Sequence, residues 1–197
     1  MWTTNSSGGF RSGENGLSKA IWVGLQVPGQ SAYHFLSATF SAHVEAALNS
    51  NHGTFYAYQL AGSQLATGDK QGARNTLTAF FEASFLDQIA ASGEQPYEAV
   101  RTRPFHYRCF NLEGLIGLAK LGNEVGLDMW KRRTKQGATI QTALDFIIRT
   151  DPKDEDLDQV SSHVAAIRAA YGDPPGKYLA FLQKNSPNYT SKPSLVL

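Results

Sequence analysis

The sequence predicts an all-α fold, and three observations carry that expectation. Apolar residues recur at spacings of about 3.6 through successive stretches between Ser31 and Ile167, short glycine and proline clusters separate those stretches, and no alternation typical of a half-buried strand survives along the chain. Successive antiparallel helix pairs stack as a bundle, a solenoid or an α/α toroid, and periodicity alone leaves these three open.

Residues 1–30 read as an irregular entry segment, because glycines at positions 8, 9, 13, 16, 24 and 29 leave room for no more than a short helix around Leu17 to Trp22. From Ser31 the texture changes. Tyr33, Phe35, Leu36, Phe40, Val44 and Leu48 follow helical spacing with no glycine or proline before Gly53, which predicts a helix of roughly four turns. After Asn51-His52-Gly53, a second helix is expected from Thr54 to Ala66, stopped by Gly68-Asp69. Lys70 to Ala91 places Leu77, Phe80, Phe81, Phe85 and Ile89 on one face and predicts one long amphipathic helix. Gly93-Glu94-Gln95-Pro96 breaks it. Arg103-Pro104 restricts the backbone again before a helix from about Tyr107 to Val125, with Leu112, Leu115, Ile116 and Ala119 as its buried stripe. Two further helical patterns follow, Ile140 to Ile148 and Leu157 to Ile167, divided at Asp151-Pro152. Residues 31–185 are therefore expected to form one helical domain, and 186–197 a loose tail. The acidic run Asp151 to Asp158 reads as a solvated loop and helix start, and the basic run of Lys131, Arg132, Arg133 and Lys135 as exposed surface.

Composition fits a chain able to bury a core: 197 residues, 42% hydrophobic, 18% charged and 11% aromatic. With 18 basic and 17 acidic residues the charges nearly cancel, so neither a nucleic-acid partner nor a membrane surface is expected and any electrostatic function must be local. No 18-residue apolar run exists, and the first thirty residues hold no signal-peptide apolar stretch. The single Cys109 excludes an internal disulfide and reads as a buried small apolar group. His34, His43 and His163 sit within helical patterns without metal-ligand grouping, so no metal and no cofactor are expected. Two glycosylation sequons, at Asn5 and Asn188, have meaning only for a secreted chain.

Polar, aromatic and basic residues collect at two joints between helices: Asn49 to Tyr56, and Glu98 to Arg108. Each has a plain structural reading, the first as a helix cap built by Asn51 or Ser50, the second as a surface loop whose arginines pair with Glu94 and Glu98. Together they offer more. Amide, imidazole and guanidinium donors neutralise a carboxylate and so acidify the adjacent C–H, while a tyrosine hydroxyl relays the proton. That is the chemistry of β-elimination from a uronic acid sugar. A glycoside hydrolase on an α/α scaffold fits less well, because it needs two carboxylates flanking the bond and the joints offer only Glu94 and Glu98.

Three motifs in order resemble those of the alginate lyase domain family. Asn51-His52-Gly53-Thr54-Phe55-Tyr56 followed by Gln59 resembles its Asn-His-Gly-Thr-aromatic-Tyr signature. Glu98-Ala99-Val100-Arg101-Thr102-Arg103 with downstream Tyr107 resembles its Glu-x-x-Arg-x-Arg element, and Gly126-Leu127-Asp128-Met129-Trp130 resembles its Gly-hydrophobic-Asp-hydrophobic-Trp element. The resemblance implies an incomplete α/α toroid, β-elimination on an acidic polysaccharide of alginate or glucuronan type, no cofactor, and an extracellular or periplasmic location. It implies that Asn51 and His52 neutralise the substrate carboxylate with help from Arg101. Tyr107 would act as general acid, and as base where stereochemistry permits; an ordinary tyrosine ionises only near pH ~10, so its neighbours would have to favour the phenolate. Tyr56, Arg103 and His106 are candidate substrate contacts, with core packing for Tyr56, a Glu98 ion pair for Arg103 and a second-base role for His106 left open. Trp130 is expected in the core. The alternative is a truncated or catalytically impaired carbohydrate-binding relative, since family toroids are longer.

Overall fold

The computed structural model describes residues 48–188, all helix, turn and loop with no strand among them. The predicted helices around Leu17 to Trp22 and Tyr33 to Leu48, together with His34, His43 and the Asn5 sequon, lie outside the described residues, as does most of the tail. The elements are α1 (Asn51–Ala66), α2 (Lys70–Glu82), a 3-10 turn (Ser84–Asp87), α3 (Pro96–Ala99), α4 (Pro104–Glu124), α5 (Ile140–Ile147), a second 3-10 turn (Leu157–Val160), α6 (Ser161–Tyr171) and α7 (Lys177–Asn185).

Helices α1 and α2 form a hairpin. Gly68 takes φ +84° at the turn, where a side chain would be strained, and Asp69 starts α2 by accepting the Gly72 N–H at 2.7 Å. The central element is α4, which packs against α1, α3, α5 and α6. Its Leu112, Leu115, Leu118 and Ala119 are fully buried, and each large apolar side chain so placed contributes about 1.5–3 kcal/mol of burial. Gly114 and Gly117 let α1 approach, since a Cβ at either would stand 2.7 Å from Thr54 or Tyr58. Thr139 and Thr142 cap α5 reciprocally, and Ile140, Ala143, Leu144 and Ile147 are its buried stripe.

Several boundaries differ from expectation. Helix α1 begins at Asn51 rather than Thr54, so the Asn-His-Gly triplet forms its first turn. Helix α2 ends at Glu82, not Ala91, because Ala83 leaves the helical region at φ −127°, ψ −89°. The following 3-10 turn still carries Phe85 into the core beside Phe80 and Phe81, which preserves the apolar spacing while the backbone changes. Helix α4 starts at Pro104, a residue suited to the first helical position because its missing N–H has no partner there anyway. The Leu157 to Ile167 pattern divides into a 3-10 turn and α6. Helix α7 is an addition: only Tyr178 and Leu182 are buried on it, and Asp173 caps it by accepting the N–H groups of Tyr178 and Leu179. Ser186, expected to open the loose tail, is instead buried with its hydroxyl 2.7 Å from that of Ser161. Trp130 packs half-buried against the core and edge-on to Tyr171.

Candidate active site

The first turn of α1, the segment Glu98 to Arg103 and the first turn of α4 meet. Glu98, on α3, is 1% exposed and accepts both the backbone N–H of Asn51 at 2.7 Å and its side-chain N–H at 2.5 Å. Its own carbonyl accepts the Arg101 N–H at 3.2 Å. The Arg101 guanidinium then lies over the Tyr107 ring, 4.3 Å from the centroid. Tyr107 meets His106 edge-on at 5.3 Å, and His106 stacks on Phe110, which stacks on Phe55 of α1 at 4.1 Å. Asn51, Arg101, Tyr107 and His106 are thus linked contact by contact, with His52 beside Asn51 on the same turn.

Beneath this surface runs a buried polar network. Thr54 and Gln88 exchange hydrogen bonds, Asn111 donates to Gln88 and Gln95, and Gln95 donates to the Arg108 carbonyl, at distances of 2.8–3.1 Å. Such networks rigidify a core most when every member is satisfied, and here the Asn111 Oδ1 acceptor has no partner among the described residues. Asn111, a polar residue amid the apolar stripe of α4, is the sequence signal that could have revealed it.

The three arginines have different fates. Arg108 forms a two-point ion pair with Glu94 at 2.7 and 2.8 Å, as the structural reading of that loop expected. Arg103 pairs at 3.7 Å with Glu155, not with Glu98, whose carboxylate is occupied by Asn51. Arg101 makes no ion pair with the described residues, and its guanidinium faces the Tyr107 ring instead. Glu155 belongs to the acidic run read as solvated, yet its two oxygens accept the Phe105 and His106 N–H groups at 3.0 and 2.8 Å and so close the start of α4. Gln159 fixes the His106 ring by a 3.0 Å contact to Nδ1. Tyr56 is buried, 7% exposed. Cys109 is buried, and that burial, reinforced by Glu155 and opposed by Arg108, pushes its thiol up to about 12, where it is unreactive.

Two concave pockets, of about 310 and 600 Å³, lie farther along α4 and against α6, lined in part by Glu113, Lys120, Glu124 and Trp130. Neither is lined by Asn51, His52, Arg101 or Tyr107. Among the described residues no three His, Cys, Asp or Glu side chains are grouped to hold a metal, and no helix is long and apolar enough to cross a membrane.

The sequence model described as Alginate lyase matches residues 34–155. Among solved structures, the chain is similar to that of an alginate lyase from Bacteroides ovatus, with a TM-score of 0.69 and 24% identity. The match covers 86% of this chain but 46% of that one, so this chain spans less than half of that neighbour's length. At such identity the likeness speaks for the fold alone. No curated protein matches the chain.

Proposed function

The chain belongs to the alginate lyase family, and from that premise we propose that it cleaves a uronate-containing polysaccharide of alginate or glucuronan type by β-elimination. The observation that carries the reading is the linkage of Asn51, through Glu98, to the Arg101–Tyr107 pair. The Asn51 amide, the His52 imidazole and the Arg101 guanidinium surround the substrate carboxylate and neutralise it. The neighbouring C–H becomes acidic; its proton passes to Tyr107, or to another base where stereochemistry requires, and the electron pair forms the new C=C bond as the glycosidic C–O bond breaks. The Tyr107 hydroxyl protonates the departing oxygen. His106, stacked and held by Gln159, lines this path as a pocket residue or second base. The Arg103 side chain, 60% exposed, meets a neighbouring sugar carboxylate.

In this reading the described helices form part of an incomplete α/α toroid, the partner is an acidic polysaccharide rather than a nucleic acid or membrane, no cofactor takes part, and the protein works outside the cytoplasm. Incubation with polymannuronate, polyguluronate and glucuronan is expected to generate the ultraviolet absorbance of an unsaturated uronate on at least one. A folded helical chain that yields no such signal on any of them supports the second reading, a carbohydrate-binding relative without turnover.

A further inference from the structure

We propose that Glu98 is the positioning residue that aims the Asn51 amide at the substrate carboxylate, an inference that rests on the elimination reading above. Ser50, at the N-cap of α1, makes no side-chain cap bond, so the helix start is held from another element. Glu98 supplies that hold. Its two oxygens engage the two N–H groups of one residue, the backbone N–H of Asn51 at 2.7 Å and the side-chain N–H at 2.5 Å. An asparagine amide has two nearly isosteric orientations. A carboxylate beside it permits only the one that turns N–H toward Glu98, which fixes where the second N–H and the carbonyl point.

A buried carboxylate is costly unless its acceptors are filled, and Glu98 is 1% exposed. Here two donors and the positive end of the α1 dipole stabilise the charge, so little of it is left to repel a substrate anion. Because the Glu98 carbonyl also accepts the Arg101 N–H, one residue sets the spacing between amide and guanidinium. Glutamine keeps the size but not the aim: its oxygen can still accept the Asn51 backbone N–H, while its amide nitrogen is matched only by an Asn51 side chain turned over to present its carbonyl, which points the Asn51 N–H groups elsewhere.

Glu98→Gln is the test. It is expected to lower kcat on the cleaved polymer about tenfold or more, with KM changed less than about threefold, while the helical circular dichroism spectrum is kept. Combined with Asn51→Ala, it is expected to add less than about a twofold further loss, because the two residues act through one contact. A kcat within about twofold of the wild type, or losses that multiply in the double variant, overturns the positioning role. A wild-type chain without turnover on any polyuronate overturns the elimination reading itself, a result distinct from an active enzyme indifferent to Glu98. Should Glu98→Gln fail to fold, the Asn51 side-chain amide of the wild type decides, identified in nuclear magnetic resonance spectra by its loss in Asn51→Ala. One strongly shifted, exchange-protected proton supports the contact, and two protons exchanging as in an exposed asparagine overturn it.

Discussion

The Arg101 guanidinium carbon stands 4.3 Å from the centroid of the Tyr107 ring, which brings together a cation from the loop before Pro104 and a phenol from the first turn of the helix that Pro104 starts. The hydroxyl can be removed without disturbing that contact, because the ring face is what the cation meets. Tyr107→Phe is therefore expected to lower elimination by about 10²-fold or more while polymer retention in affinity electrophoresis stays unchanged. Turnover near the wild-type level would place the acid on another residue.

Glu155 and α4 give a prediction about stability. The carboxylate accepts the Phe105 and His106 N–H groups at a helix start that Arg103, in the N-cap position, does not cap with its side chain. Glu155→Ala leaves those donors unpaired and is expected to cost about 0.5–2 kcal/mol in urea denaturation. It also releases Arg103 and loosens the turn that carries Tyr107, so kcat is expected to fall with it. A variant as stable as the wild type would mean that water caps the helix equally well.

The α1–α4 contact depends on the absence of a side chain at Gly114, where a Cβ would stand 2.7 Å from the Thr54 methyl and 3.2 Å from the Phe55 ring. Gly114→Ala is expected to destabilise by about 1–3 kcal/mol through overpacking. Gly62 provides the contrast within α1. A Cβ there meets only Leu121 at 3.9 Å, so Gly62→Ala is expected to be neutral or to stabilise by up to about 1 kcal/mol through helix propensity. Equal effects of the two substitutions would show that backbone propensity, not close approach, governs both sites.

These contacts also show what the sequence could and could not reveal. The helices with three or more buried apolar residues, α1, α2, α4, α5 and α6, were legible from their patterning. Helix α7 was not, because Tyr178 and Leu182 are its only buried positions. The end of α2 was hidden for the opposite reason: the 3-10 turn keeps Phe85 inward, so the pattern continues past the break. At the candidate site, the motif residues stood out by type. Their common anchor did not, because a glutamate three residues from an arginine reads as a surface ion pair until the fold places Asn51 against it. Glu155 was hidden in the same way, its capping role set by an element distant in sequence.

A buried imidazole adds a dependence on pH. His163 on α6 is 6% exposed, its Nδ1 has no hydrogen-bond partner among the described residues, and burial lowers it to about 4 from an ordinary 6.5, against an opposing backbone contact from Gln159. It is neutral in the folded protein where the unfolded chain already binds a proton. Stability from this group is therefore fully present above about pH 6.5 and is lost as pH falls toward about 4, on the order of 3 kcal/mol as an upper limit. Glu113 and Lys120 line the same pocket, and burial raises the first, opposed by His106, and lowers the second. Glu113 therefore gains its proton at higher pH when folded, which stabilises the fold on acidification and partly offsets the histidine. Urea denaturation at pH 7 and pH 4.5 separates the two contributions, because His163→Leu removes only the first. The variant is expected to lose less stability over that interval than the wild type, and an equal loss in both would mean that His163 is protonated without unfolding.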